Sequence, residues 1–588
     1  MSPIRSLFTF SFLCTLYVLF QMNVFTALLM VLLTVFFYRR CQNFQVKIPN
    51  WSDVLKFLGI SLLLIPFYII LAKQFIIVRD ATLEALLPFT RDTLYKPQFL
   101  TLLGLLFFTL PFVYLFHYWL VGKIVSFIKT LTRREWWCFA AGVLFFAGSL
   151  LILANQTSFW VFGINPEQFV GEFDGVMQFQ NYSCDEFFDS DTGQGIFCHT
   201  GRDCSRHPIY RLHLLVTAVP SAFLYCVNHL FFASGYYSLA LGFAEMQCVF
   251  FVLGGILLNR ILRRFLDPLG AFLIVLFYTC SFTGIWAFVP ERIIPSVFWC
   301  IAAVYCWLNV KSSEWTRILV SLLATGACLL SLGLIVLLVL WSDGKEMLEN
   351  HLGGLKNWVK QPLCFWFVFL GLLAGYSLTV FQQDEGMWSR PAVSFTQFQK
   401  NSRQYLHFAE SCVFLPQWQI ETFNELRCIN SPAVSQVQEK DLSTTTLLLG
   451  AAVILGVLLS AVLWIREPFV QIAFLWFGVS VGVLLLMGFG SVLDTMVLYA
   501  PYFSWVILPL SVLWLGKIPF LHFRLSGFCL GLLTAAVLCA NVHFVVDVTD
   551  QMKESYVLIQ PEQVKQGFFP KFFIIKFNLE ESPEESTF

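Results

Sequence analysis

The chain has 588 residues, 57% apolar and only 13% charged, with 37 basic and 37 acidic side chains and a mean hydropathy of +0.72. That charged share is about half of what a soluble domain carries, and a net charge of zero argues against a nucleic-acid partner, which would want a basic surface. Apolar runs of roughly 18 residues or more, each able to cross about 30 Å of hydrocarbon, recur along the length. They are apolar on every face, unlike the alternating strands of a membrane barrel. The chain therefore reads as an all-α polytopic membrane protein.

In chain order, Arg5 leads an apolar run of the kind a signal peptide has. Arg39 and Arg40 soon follow a second run, so 6–21 and 23–38 are predicted as a retained hairpin with a cytoplasmic N-terminus. Helices at 54–72 and 98–120 lead to Lys123, Lys129, Arg133 and Arg134 on the same side, and a fifth at 136–154 leads out. The loop 155–210 is then exocytoplasmic. It carries the sequons at Asn155 and Asn181 and the cysteines Cys184, Cys198 and Cys204; Cys412 and Cys428 lie in a second polar stretch. Cysteines in polar loops predict disulfides in an oxidising compartment.

The stretch after that loop decides the topology. If 211–231 crosses inward, the helix after it strands Arg260, Arg263 and Arg264 outside, against the charge rule. If 208–234 lies along the outer interface, 236–258 is the inward crossing and "NRILRR" lands inside. Pro220, Asn228, His229 and Gly235 suit an interrupted interfacial segment, so the second reading is preferred. Helices at 269–288 and 294–309 follow. The apolar stretch 316–341 is one long span or two short helices broken near Gly333; the basic stretch at Lys345, Lys356 and Lys360 favours two. A helix at 364–381 leads to a second exocytoplasmic loop, 382–443, and helices at 445–464, 468–488, 494–514 and 526–545 end in an exocytoplasmic tail.

Reactive groups concentrate in the first outer loop: Glu172 and Asp174 in "EFDG", Asp189 and Asp191 in "DSD", then Arg202, Asp203, Arg206 and His207 in "GRDCSRHP". A carboxylate just above a membrane can serve as general base toward an acceptor hydroxyl or amine. Arginines beside it can hold a lipid-linked phosphate by bidentate hydrogen bonds, and a histidine can bind phosphate or a metal. The plainer reading is a solvated loop with ordinary charges. Glu245 falls inside a predicted helix, where an ionisable group is expensive and often functional. Glu291 and Arg292 mark an outer helix mouth. Asp384 and Glu385 open the second loop, in which Arg390, Arg403 and His407 read as surface groups.

The order of these features resembles the GT-C superfamily of polytopic membrane glycosyltransferases, in particular its protein mannosyltransferase and aminoarabinose transferase branch. The matching residues are His207-Pro208-Ile209-Tyr210, "NRILRR" and "PERIIPSVFWCIAAVYCWLN", across roughly 136–381. That family reads His-Pro-Pro where this chain has Ile209, and four predicted helices precede the matching part. The resemblance implies a GT-C-like bundle of roughly 13–14 helices with two disulfide-bearing exocytoplasmic loops. Its parts would be an N-terminal extension 1–134, a catalytic core 135–381, the second loop 382–443, C-terminal helices 444–545 and the tail 546–588. The membrane would be a bacterial inner membrane or an endomembrane.

It also implies a donor sugar on a polyprenyl phosphate and an unknown lipid, glycan or protein acceptor. Asp174, with Glu172, would be the catalytic carboxylate, preferred over the second-tier acids Asp189, Asp191, Asp203, Glu245 and Asp384. Arg202, Arg206, His207, Glu291 and Arg292 would bind the donor, its phosphate meeting Arg202, Arg206 or His207, with Mg or Mn as a possible cofactor. The alternatives are a transporter or flippase, and a non-catalytic membrane scaffold.

Overall fold

A computed structural model describes residues 126–156, 176–177, 224, 235–288, 293–309, 312, 314–328, 331–349, 402–414, 418–423, 431–436, 442–486, 500–517 and 523–556. The chain divides into two compact units. One is 1–138, 185–223 and 343–388; the other is 139–184, 224–342 and 389–588 and holds almost all of the described residues. The expected helices at 6–21, 23–38, 54–72, 98–120 and 364–381, and nearly all of the interfacial segment 208–234, lie outside the described residues.

The described residues are predominantly helical. Four helices are long and apolar enough to cross a membrane, or five if one bent pair counts as a span. In order they run α1 Arg133–Gln156, β1 Val176–Met177, α2 Gly235–Leu262, α3 Pro268–Cys280, α4 Phe282–Ile285, α5 Ile293–Leu308, α6 Glu314–Ala327 and α7 Ser331–Glu349. Then come α8 Ser402–Ser411, β2 Trp418–Phe423, β3 Ser431–Gln436, α9 Thr444–Leu463, α10 Pro468–Leu486, α11 Ala500–Leu513 and α12 Phe523–Tyr556. Large apolar side chains stay exposed on the outward faces, among them Leu144, Phe145, Leu448, Val462 and Phe528. Such faces are unfavourable in water and at home in hydrocarbon.

Helix starts follow from local chemistry. Thr132 and Glu135 form a reciprocal capping box at α1: the Glu135 carboxylate accepts from the Thr132 amide at 2.8 Å, and the Thr132 hydroxyl accepts from the Glu135 amide at 3.3 Å. Asp267 caps α3 by accepting from the amides of Leu269 and Gly270, with Pro268 at the first helical position. Ser443 caps α9 through the Thr446 amide.

Small residues allow the close packing that holds helices together in lipid. Gly254 faces Phe298 and Ile301 of α5, while its neighbour Gly255 faces Val275 and Thr279 of α3, so α2 is clasped on both sides. Gly456 of α9 lies against the Ser511 carbonyl of α11, and Gly450 against the Leu406 carbonyl of α8; a Cβ at either would collide with backbone. Phe251 packs between Phe146 of α1, which it meets edge-on, and the tilted ring of Tyr278 of α3.

The expected single helix at 269–288 is broken. The chain bends by 58° at Ser281, between α3 and the pair formed by α4 and a short 3-10 turn at Trp286–Phe288. Ser281 is extended, and its hydroxyl donates to the Tyr278 carbonyl at 2.7 Å. A bend frees carbonyls that would accept within a continuous helix; the Asn541 amide of α12 donates to the Cys280 carbonyl. The stretch 316–341 is two short helices, as the basic residues after it favour, but the break precedes Ser331 and Gly333 lies inside α7. Ser331 meets Cys300 at 3.1 Å. Cys300 is eight residues before Leu308, so the turn lies roughly 12 Å along α5, short of a full crossing. α12 continues to Tyr556, past the expected end at 545.

Four turns meet at one end. Arg264 donates to the Leu308 carbonyl at 2.8 Å and lies over the Tyr305 ring. Phe265 packs on Trp464 and Phe469, and Trp464 donates to the Leu513 carbonyl at 3.0 Å. α2, α5, α9 and α11 thus end together, and α3, α6, α10 and α12 leave from the same level. We call this the basic end.

Candidate functional site

The far end carries α8 and the three strands, and there the described residues contain an ionisable cluster in the bundle interior. α8 packs on α9 and α11: the Leu406 carbonyl abuts Gly450, and Phe408 meets Phe503 edge-on at 5.9 Å. The sequence "SRQYLHFAES" puts Arg403 in solvent and turns His407, Phe408, Glu410 and Ser411 inward. His407 is fully buried and Glu410 is 3% exposed.

The His407 Nδ1 and Glu410 Oε2 lie 3.1 Å apart. The Ser411 hydroxyl donates to the His407 carbonyl at 2.7 Å and sits 3.5 Å from the same carboxylate oxygen. Burial pushes the Glu410 carboxyl above its ordinary range, against the lowering influence of the His407 and Ser411 hydrogen bonds. α9 carries no charged side chain and α11 none, so the pair supplies its own compensation. With the proton on Nδ1, His407 donates to Glu410 and keeps a lone pair on Nε2, and that atom has no hydrogen-bond partner. The pair can hold one proton between two bases.

Two expectations are corrected here. His407 is not a surface group: it lies on the apolar face of an amphipathic helix. Cys412 is not in a disulfide. It follows α8 as a fully buried free thiol, bonded through its amide to the Phe408 carbonyl at 3.1 Å. Burial and the nearby Glu410 carboxyl push that thiol well above its ordinary value, which keeps it protonated and unreactive. Among the described residues every cysteine is free. Cys184, Cys198, Cys204 and Cys428 lie outside them.

The second polar stretch is structured. β2 and β3 form an antiparallel pair from Trp418↔Gln436 to Phe423↔Ser431, and β1 joins the other edge of β3 with Val176↔Ser435 and Met177↔Val434. β1 begins two residues after Asp174, so a segment of the first outer loop pairs with the second. β3 packs on α12 and leads into α9.

Glu172, Asp174, Asp189, Asp191, Arg202, Asp203, Arg206, His207, Glu291, Arg292 and Asp384 lie outside the described residues, and the expected Mg or Mn rests on that set. Glu245 is described. It is half-buried on α2, ten residues after Gly235. Three residues on, Cys248 donates to the Ala287 carbonyl of the bent segment at 3.4 Å. Among the described residues no three His, Cys, Asp or Glu side chains converge on a point that could hold a metal.

No family model, curated protein or solved structure matches the chain. Function must therefore be argued from the residues themselves. Glu410 was the group that sequence reasoning missed. Its signal was present: the i, i+3 spacing from His407 on a helical period, flanked by Leu406 and Phe408.

Proposed function

We propose that the chain is a membrane glycosyltransferase that moves a sugar from a polyprenyl-phosphate donor to an acceptor at the end of the bundle opposite the basic turns, on the exocytoplasmic side. The observation that supports this reading is the β1–β3 pairing. It ties the residues just beyond the Glu172-x-Asp174 motif to the segment that leads into α9, so the acidic loop is anchored at a bundle mouth. In the reaction, Asp174 takes the proton of an acceptor hydroxyl, and the oxygen forms a bond to the anomeric carbon. The bond from that carbon to the phosphate oxygen breaks, and the polyprenyl phosphate leaves with the electron pair. Arg202, Arg206 and His207 hold the phosphate as its charge grows.

The test is deletion of the gene followed by analysis of lipid-linked sugars and surface glycans, with complementation by variants. Deletion is expected to accumulate a lipid-linked sugar and to remove a surface glycan. Asp174→Asn and His207→Ala, each folded, should lower transfer by about 10²-fold or more; full complementation by both would overturn the assignment.

A transporter or flippase is the second reading. The bend at Ser281 and the short α6–α7 hairpin favour it, because discontinuous helices line substrate paths in transporters. Substrate uptake into sealed vesicles, with Asp174→Asn unaffected, would select it.

A further inference from the structure

We propose that the basic end of the bundle binds the headgroups of anionic phospholipids. The four turns there, 259–268, 308–317, 464–468 and 514–524, hold eight Lys and Arg against three Asp and Glu, in a chain whose total charge is zero. One of the three acids, Asp267, is already engaged in capping α3.

Three of these cations are held by neutral groups. Lys517 lies 4.2 Å from the centre of the Trp464 ring, Arg317 5.2 Å from that of Trp307 and Arg264 5.9 Å from that of Tyr305. Arg264 also donates to the Leu308 carbonyl. Arg317 makes a long contact of 3.4 Å to the Asn309 carbonyl, and its Nε is buried without a hydrogen-bond partner. Aromatic faces and carbonyls orient these groups, and among the described residues no carboxylate pairs with them; an arginine has five N–H donors to place. A phosphate diester supplies the missing acceptors and the missing charge.

The surroundings select a lipid over a soluble anion. Leu269 and Ile465, 56% and 52% exposed, stand within a few residues of Arg264 and Arg466. Cations bordering an apolar rim match a molecule with a phosphate at one end and acyl chains at the other. The rings that carry the cations are of the type that gathers at the headgroup level.

The experiment uses the full chain, delipidated in a neutral detergent and titrated with phosphatidylglycerol, phosphatidylcholine or soluble glycerol phosphate. Binding is followed by native mass spectrometry and thermal shift. Phosphatidylglycerol is expected to bind and to raise the unfolding temperature, with the other two inert. Each cation neutralised among Arg264→Gln, Arg317→Gln and Lys517→Gln should weaken binding about fivefold. The charge-preserving set Arg264→Lys, Arg317→Lys and Lys517→Arg should retain most of it. Should the triple Gln variant fail to fold, Lys517→Gln alone, at an exposed position, carries the test. Equal binding of phosphatidylcholine, an equal response to glycerol phosphate, or undiminished binding by Lys517→Gln would each overturn the proposal.

Discussion

The two ends of this bundle handle charge in opposite ways. At the basic end, Lys517, Arg264 and Arg466 are exposed, and aromatic rings carry the first two at the rim. At the far end, His407 and Glu410 are buried against helices that bring no charge of their own. In the sequence, residues 155–210 hold eight acidic and two basic side chains. A charge that keeps contact with water costs little to maintain, whereas a buried one is tolerated only while its partner is in place. The basic end is thus built to meet an external partner, and the buried pair is coupled to the integrity of α8.

Breaking the buried pair should have the largest effect on stability. His407→Leu leaves the Glu410 carboxyl uncompensated and should cost about 3–5 kcal/mol. Replacing both by apolar residues, His407→Leu with Glu410→Met, should recover much of that loss. Thermal unfolding in detergent checks the order, and a double variant worse than either single one would contradict it. The same pair predicts a pH dependence. Because burial raises the Glu410 carboxyl, the folded state binds that proton more tightly than the unfolded chain does. Its contribution is therefore complete below the ordinary value of 4.5 and declines as pH rises through the raised one. Unfolding temperatures measured from pH 4 upward should fall for the wild type relative to Glu410→Gln, which stays neutral throughout.

A smaller effect is expected where α8 is seated. Gly450→Ala drives a methyl into the Leu406 carbonyl and should cost about 1–3 kcal/mol, with α8 becoming the first segment exposed to proteolysis. The smallest belongs to the basic end: Lys517→Ala should change stability by less than about 1 kcal/mol. A large loss there would erase the distinction between the ends.

Much of the helix order was legible in advance because hydrocarbon imposes a simple rule: about 20 apolar residues per crossing, with cations on one side. The meeting of the turns at 260–267, 308–317, 464–467 and 514–517 follows from it. Asp267-Pro268 and Ser443 were readable as helix starts for equally local reasons. The bend at Ser281 was not. "FYTCSFTGIW" carries no charge and no proline, and what relieves the broken ladder is Asn541, more than 250 residues away. Cys412 was misread because it was placed in a polar loop, whereas it follows α8 into the buried interior.

Periodicity and charge, which act between near neighbours in sequence, were enough to determine a chain of apolar helices with basic turns. Only the tertiary structure decided that His407 and Glu410 face inward as a pair, that Cys412 stays a free thiol, and that Val176 and Met177 join a sheet with Val434 and Ser435. Each of those outcomes depends on which helix or strand arrives from far along the chain. Burial and strand pairing are properties of the assembled neighbourhood, and no local window of the sequence contains it.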